Sequence, residues 1–312
     1  MSAKVPPEAF ERGIPAAKAG GWIKWPLEPV LGGGEMGTCF DPTLLTEDGK
    51  LRMWFSWRPR KLVALVEGED GVHWSGPVIC LEARPGSGWE DQVHRQIVVK
   101  GKGDYHMWYT GQIPARSEIG YAISPDGVTW RRCRERPVLS PDQPWEKANV
   151  MCPHVIWDEK VGLYRMWYSG GEQWEPDAIG YATSPDGVNW SKHPDNPIFK
   201  PDSRFTWEQD KVTACQVLKH GSWHLMFYIG FRDIHHSQIG VARSRDGVTG
   251  WQRNPANPII SPTEGAWDRA ACYKPFALYN EQEGIWRLWY NGRHDQLEVI
   301  GMAIHEGEDL GF

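Results

Sequence analysis

A short motif returns along this chain at nearly constant spacing: Gly-Val-His-Trp at 71–74, Gly-Val-Thr-Trp at 127–130, Gly-Val-Asn-Trp at 187–190 and Gly-Val-Thr-Gly-Trp at 247–251. Its tryptophans, Trp74, Trp130, Trp190 and Trp251, lie 56, 60 and 61 residues apart. A length of 312 residues would ordinarily suggest two domains. A repeat of this period overrides that expectation, because each unit must bury its faces against its neighbours.

Three more tracers run through the chain. The strand core Met53-Trp54-Phe55-Ser56 returns at 107–110, 166–169, 226–229 and 288–291, and Pro29-Val30-Leu31 returns at 77–79, 137–139, 197–199 and 258–260. Ile119-Gly120-Tyr121-Ala122 has counterparts at 179–182, 239–242 and 300–303. With 34 Gly, 24 Pro and 19 Trp, the composition suits short strands and tight turns. Each unit reads as four short strands, and five such units predict an all-β, five-bladed β-propeller. The last unit stops after Ala303-Ile304 without an outer strand, whereas Trp22–Leu31 is an orphan one. The N-terminal strand is therefore expected to complete the final blade and close the ring, leaving no open sheet edge at the seam. The expected organisation is an extension over 1–19 and one catalytic propeller over 20–312.

A formal charge of −6 supplies none of the positive field that nucleic acid requires, so nucleic acid is not an expected partner. No segment approaches a membrane span and the N-terminus lacks an apolar leader, which suggests a cytoplasmic protein without a membrane partner. The six cysteines form no CxxC pair and read as reduced, mostly buried thiols.

The recurring Ser-x-Asp-Gly-x-x-Trp and Asn-Pro-Ile elements resemble the five-bladed propeller glycosidases: glycoside hydrolase families 43, 32 and 117 and the family 130 phosphorylases. The resemblance covers nearly the whole chain. It implies a carbohydrate substrate and no cofactor, although a structural ion on the propeller axis is compatible with it.

The repeat separates scaffold from chemistry. Trp89-Glu90, Trp145-Glu146, Trp207-Glu208 and Trp267-Asp268 recur before the inner strands, which marks them as packing or turn residues. Asp126, Asp186 and Asp246 read as turn aspartates. Aligning the inner strands gives a column of Asp41, Arg95, Cys152, Cys215 and Lys274, fixed in position but variable in identity. Alternation along a strand points one such column at the axis. By resemblance, Asp41-Pro42 matches the Asp-Pro of the first blade, whose aspartate is base or nucleophile.

A second carboxyl group is ordinarily needed to protonate the leaving oxygen. Met151-Cys152-Pro153 resembles the Glu-Cys-Pro of the invertase-like group with methionine replacing the acid, and Thr213-Ala214-Cys215 also lacks a carboxylate. The proton donor is then expected from the rim loops joining the second and third strands. These offer Glu172, Trp174, Glu175 and Asp177 in blade three, Arg232, Asp233, His235 and His236 in blade four, and Arg293, His294 and Asp295 in blade five. Glu175, Glu172, His235 and His236 are the candidate acids, with Glu175 and His235 placed beside Asp41 in the catalytic set.

Arg58, Arg95, Lys211, Arg269 and Lys274 are cations that would favour an anionic group at one end of the axis. The expected substrate-binding set is Arg58, His94, Arg95, His154, Trp174, Asp210, His236, Lys274 and Arg293, with no metal ligand among them. Trp57 and Tyr273 join Trp174 as aromatics available for stacking on a sugar. The expected activity is exo-acting hydrolysis of an oligosaccharide or glycoside. A phosphorylase holding phosphate with Arg95 and Lys274, and a sugar-binding propeller that has lost its acid, stay open beside it.

Overall fold

The computed structural model describes residues 20–25 and 28–312, so the extension expected over 1–19 lies outside the described residues. Five four-stranded antiparallel sheets stand around one axis. Blade I is β2 (Cys39–Glu47), β3 (Lys50–Trp57), β4 (Leu62–Gly68) and β5 (Val78–Glu82). Blade II is β6 (Gln92–Lys100), β7 (Tyr105–Ile113), β8 (Arg116–Ser124) and β9 (Arg131–Arg132). Blade III is β10 (Val150–Asp158), β11 (Leu163–Gly171), β12 (Pro176–Ser184) and β13 (Ser191–Lys192). Blade IV is β14 (Lys211–His220), β15 (Trp223–Asp233), β16 (His236–Ser244) and β17 (Gln252–Arg253).

Blade V joins the two ends of the chain: β18 (Ala271–Asn280), β19 (Ile285–His294) and β20 (Leu297–Glu306) take β1 (Ile23–Lys24) as their outer strand. Ile23 faces Ile304 and Lys24 faces Ala303, with a further bridge from Leu31 to Ile300. The ring closes as the repeat predicts. The outer strands are shorter than expected, however. In blades II to IV the ladder holds for two residues and is resumed only by single bridges such as Ile119–Leu139 and Ile179–Phe199. Between the two pieces stands a proline, which has no N–H to give the ladder.

Neighbouring blades are tied by the strand-core tryptophans. The indole N–H groups of Trp54, Trp108, Trp167 and Trp289 each donate over 2.8 Å to the carbonyl of Gly127, Gly187, Gly247 or Gly71 in the next blade. These glycines end the Asp-Gly turns at positive φ, and a Cβ on Gly187 would lie 2.7 Å from the Trp108 ring. Only glycine allows both the turn and the approach. The turn aspartates act locally, as Asp126 does by accepting the N–H groups of Val128 and Thr129 at 2.8 and 2.7 Å.

The recurrent Trp-Glu pairs are structural. Glu90, Glu146, Glu208 and Asp268 are buried, and each accepts the phenol O–H of a second-strand tyrosine: Tyr109, Tyr168, Tyr228 and Tyr290 respectively. Each also pairs with a cation of the outer strand, Arg132, Lys192, Arg253 or Lys24. Blade I has Phe55 in place of the tyrosine. Lys24 thus does for the N-terminal strand what Arg132 and Lys192 do for theirs. None of the six cysteines is in a disulfide.

Candidate active site

Every inner strand is broken at the same place. The register slips between Phe40 and Thr43, His94 and Ile97, Met151 and His154, Thr213 and Gln216, and Tyr273 and Phe276. At each slip one non-glycine residue takes positive φ: Asp41 (58°), Arg95 (54°), Cys152 (53°), Ala214 (37°) and Lys274 (54°). A β-bulge re-aims its side chain, and five bulges in a ring present five residues to one spot. The fourth member of the sequence column is corrected here. Ala214 takes the bulge, while Cys215 occupies the place of Pro42, Pro153 and Pro275.

The bulges are held by the preceding blade. The N–H groups of Asp41, Arg95, Cys152 and Ala214 donate to Asn291 Oδ1, Ser56 Oγ, Thr110 Oγ1 and Ser169 Oγ at 3.0, 3.0, 3.1 and 2.8 Å. Three further hydrogen bonds fix Asp41. Its Oδ2 accepts from Ser56 Oγ at 3.0 Å and from the Arg95 N–H at 3.2 Å, and its carbonyl accepts from Gln96 Nε2 at 2.8 Å. Asp41 is only 3% exposed, yet it lines the axial pocket.

That pocket encloses about 210 Å³. From the sequence-derived set it gathers Asp41, Arg58, Arg95, Cys152, Trp174, Glu175, Tyr273, Lys274 and Arg293. Ile229, Phe231 and Ala214 make one wall apolar. Burial in these surroundings pushes the Glu175 carboxyl up to about 7, against the opposing pull of Arg95, Arg293 and Lys211. Lys211 Nζ also donates to the Glu175 carbonyl at 2.8 Å and fixes the loop. Trp174, 63% exposed, stands at the mouth.

The remaining expected residues lie elsewhere. Glu172 is at the surface, paired with Lys147 at 2.5 Å. His235 and His236 occupy the exposed tip of the β15–β16 hairpin, where His236 pairs with Asp233 at 2.7 Å. Neither histidine lines the pocket, because the strands of blade IV run far enough to carry the hairpin tip out to solvent. Asp210 is exposed just ahead of β14. His154 is buried with Nε2 2.7 Å from the Val217 carbonyl, and burial lowers its pKa to about 4. His94 is buried beside Phe40 and is held neutral by desolvation, reinforced by Arg95 and Arg58. Both histidines pack behind the site.

Two participants escaped the sequence reading. Glu298 on β20 lines the pocket and pairs with Arg58 at 2.6 Å. Gln96 brackets Asp41 from behind. Glu298 sits two residues before the Ile of its third strand, where the other blades carry Ser117, Asp177 and Ser237. Its variable identity at a fixed position was the available signal. Among the described residues no group of three or more His, Cys, Asp or Glu is placed to hold a metal ion.

The model of the glycosyl hydrolases family 32 N-terminal domain matches residues 42–229. The chain belongs to that family. The protein is therefore a glycosidase of the five-bladed propeller type. Over 246 residues this family 32-type propeller is 29% identical to an uncharacterized protein of Mycobacterium tuberculosis H37Rv, Rv1502, covering 70% of the present chain and 77% of the relative. In fold it matches a solved glycoside hydrolase with TM-score 0.74 at 20% identity, over 90% of this chain and 92% of that one. It also matches a thermostable family-43 glycoside hydrolase with TM-score 0.68 at 15% identity, over 86% and 90% of the two chains.

Proposed function

We propose that the axial pocket hydrolyses a glycosidic bond with Asp41 as base or nucleophile and Glu175 as proton donor, releasing one terminal sugar. The observation that carries this reading is the pairing of two carboxyl groups with different environments in one pocket. Asp41 accepts two hydrogen bonds at Oδ2, from Ser56 Oγ and the Arg95 N–H. So oriented, it can act as base or attack the anomeric carbon. Glu175 stands against apolar side chains that keep its carboxyl protonated to about pH 7. It can hand its proton to the leaving oxygen.

The inner-strand position of the invertase-like acid holds Met151, and its register equivalent in blade IV is Thr213, which leaves the rim loop to supply the carboxyl. Met151 is fully buried, with Sδ 3.5 Å from Arg95 Nη1. The exposed indole of Trp174, next to Glu175 in the chain, offers a flat face to the sugar ring. The small pocket volume supports exo action, and the substrate class is a carbohydrate.

Glu175→Gln tests the assignment by leaving-group dependence. A nitrophenolate needs little protonation, while a sugar leaving group needs much. The variant is expected to lose about 10²-fold or more in kcat/KM on a natural glycoside and far less on the nitrophenyl glycoside. Equal losses on both would remove Glu175 from the role of proton donor.

A further inference from the structure

The pocket holds more positive charge than its own carboxylates neutralise. Of its four cations, Arg58 is paired with Glu298 at 2.6 Å. The other three have no carboxylate within ion-pair distance among the described residues. Arg95 Nη1 reaches only Gln112 Oε1 at 3.4 Å and Met151 Sδ at 3.5 Å, and Arg293 Nη2 reaches only the His235 carbonyl at 3.4 Å. The Lys274 ammonium makes no hydrogen bond or ion pair among the described residues, although Lys274 is largely shielded from solvent. Against these three cations stand Asp41 and Glu175, and Glu175 is about half protonated at neutral pH.

Shielded cations without counter-charges are costly to fold, and the contrast with the scaffold is direct. Arg132, Lys192, Arg253 and Lys24 each have a buried carboxylate at 2.9 Å or less. Around the axis, by contrast, Arg95, Lys274 and Arg293 have no such partner among the described residues. Two of the three stand on the bulges, Arg95 and Lys274, and the third, Arg293, is on β19 of the blade that carries Lys274.

Resting on the glycosidase reading of the same pocket, we propose that Arg95, Lys274 and Arg293 form an oxyanion-binding subsite that takes a carboxylate or phosphate group during the reaction. Two sources share that chemistry. One is the carboxylate of a hexuronic acid residue in the substrate. The other is inorganic phosphate as the attacking group: its oxygen bonds to the anomeric carbon, the glycosidic C–O bond breaks, the leaving oxygen takes the proton of Glu175, and a sugar phosphate forms.

Calorimetric binding tests the subsite without requiring turnover, so it is independent of the roles given to Asp41 and Glu175. The probes are inorganic phosphate and three matched pairs: glucuronate with glucose, galacturonate with galactose, and mannuronate with mannose. At least one anion is expected to bind tenfold or more tighter than the neutral sugars, with affinity falling as salt rises. Lys274→Met and Arg293→Met, each checked for fold by circular dichroism, should each weaken that anion on the order of tenfold. Methionine keeps the stem length, and at positive φ it is no more strained than lysine. Tight binding of a hexuronate assigns the source to the substrate. Tight binding of phosphate, with sugar phosphate formed from a glycoside, assigns it to the co-substrate. If every anion binds no better than the neutral sugars, or if affinity survives both substitutions, the subsite does not exist.

Discussion

Asp41→Asn lowers kcat/KM by at least about 10²-fold and leaves the fold unchanged, because the loss of a positioned base or nucleophile falls on the transition state. The amide oxygen can still accept from Ser56 Oγ and the Arg95 N–H, which now meet Asp41 Oδ2 at 3.0 and 3.2 Å. The bulge is also anchored through its backbone by Asn291 and Gln96, at 3.0 and 2.8 Å. Neither anchor depends on the carboxylate. Steady-state kinetics and a denaturant midpoint check both halves of this expectation. Activity within a few-fold of the parent would exclude Asp41 from the reaction, and a large loss of stability would make it a structural residue.

The second large effect is on stability and falls at the seam. Lys24→Met removes the cation that joins the N-terminal strand to Asp268, a pair 2.5 Å apart with side chains 6% and 1% exposed. The stranded carboxylate keeps the Tyr290 hydroxyl at 3.0 Å, the Thr263 N–H at 3.2 Å and the Cys272 thiol at 3.4 Å, none of them a charge. Breaking a buried pair from one side costs about 3–5 kcal/mol. The double variant Lys24→Met/Asp268→Leu should recover much of that loss, since no charge is then left without a partner. Equilibrium unfolding in urea measures both. A single variant within about 1 kcal/mol of the parent would mean that the seam does not depend on this pair.

The architecture was legible because a propeller writes itself into sequence repeatedly. Five copies of the strand core set the blade count, and the orphan strand over 22–31 sets the closure. The repeat also marked Glu90, Glu146, Glu208 and Asp268 as scaffold, and each proves to hold a tyrosine and a cation. Reading the axis was harder. The column of bulge residues was visible, but prolines set its alignment in three blades, and blade IV has none there. The sequence points to Cys215 rather than its neighbour Ala214 because a bulge is a backbone event with no obligatory residue.

The rim loops have no repeat to calibrate them. Glu172 and Glu175, three residues apart, look alike in sequence, yet one is paired with Lys147 at the surface and the other is half-buried in the pocket lining. His235 and His236 had suitable chemistry but stand on a hairpin tip in solvent. Hairpin reach depends on how far a ladder continues past the pocket, which composition does not reveal.

Glu175 acts as the protonated carboxyl opposite Asp41 within one axial pocket. The pH dependence of kcat/KM on a glycoside with a sugar leaving group tests it most directly. A proton donor must be protonated to act, so the rate should fall as pH rises through about 7, where burial places the Glu175 carboxyl. In Glu175→Gln that alkaline limb should disappear along with most of the activity, leaving a flat residual rate. An alkaline limb that persists unchanged in the variant, or a parent enzyme whose rate does not fall near pH 7, would contradict the account.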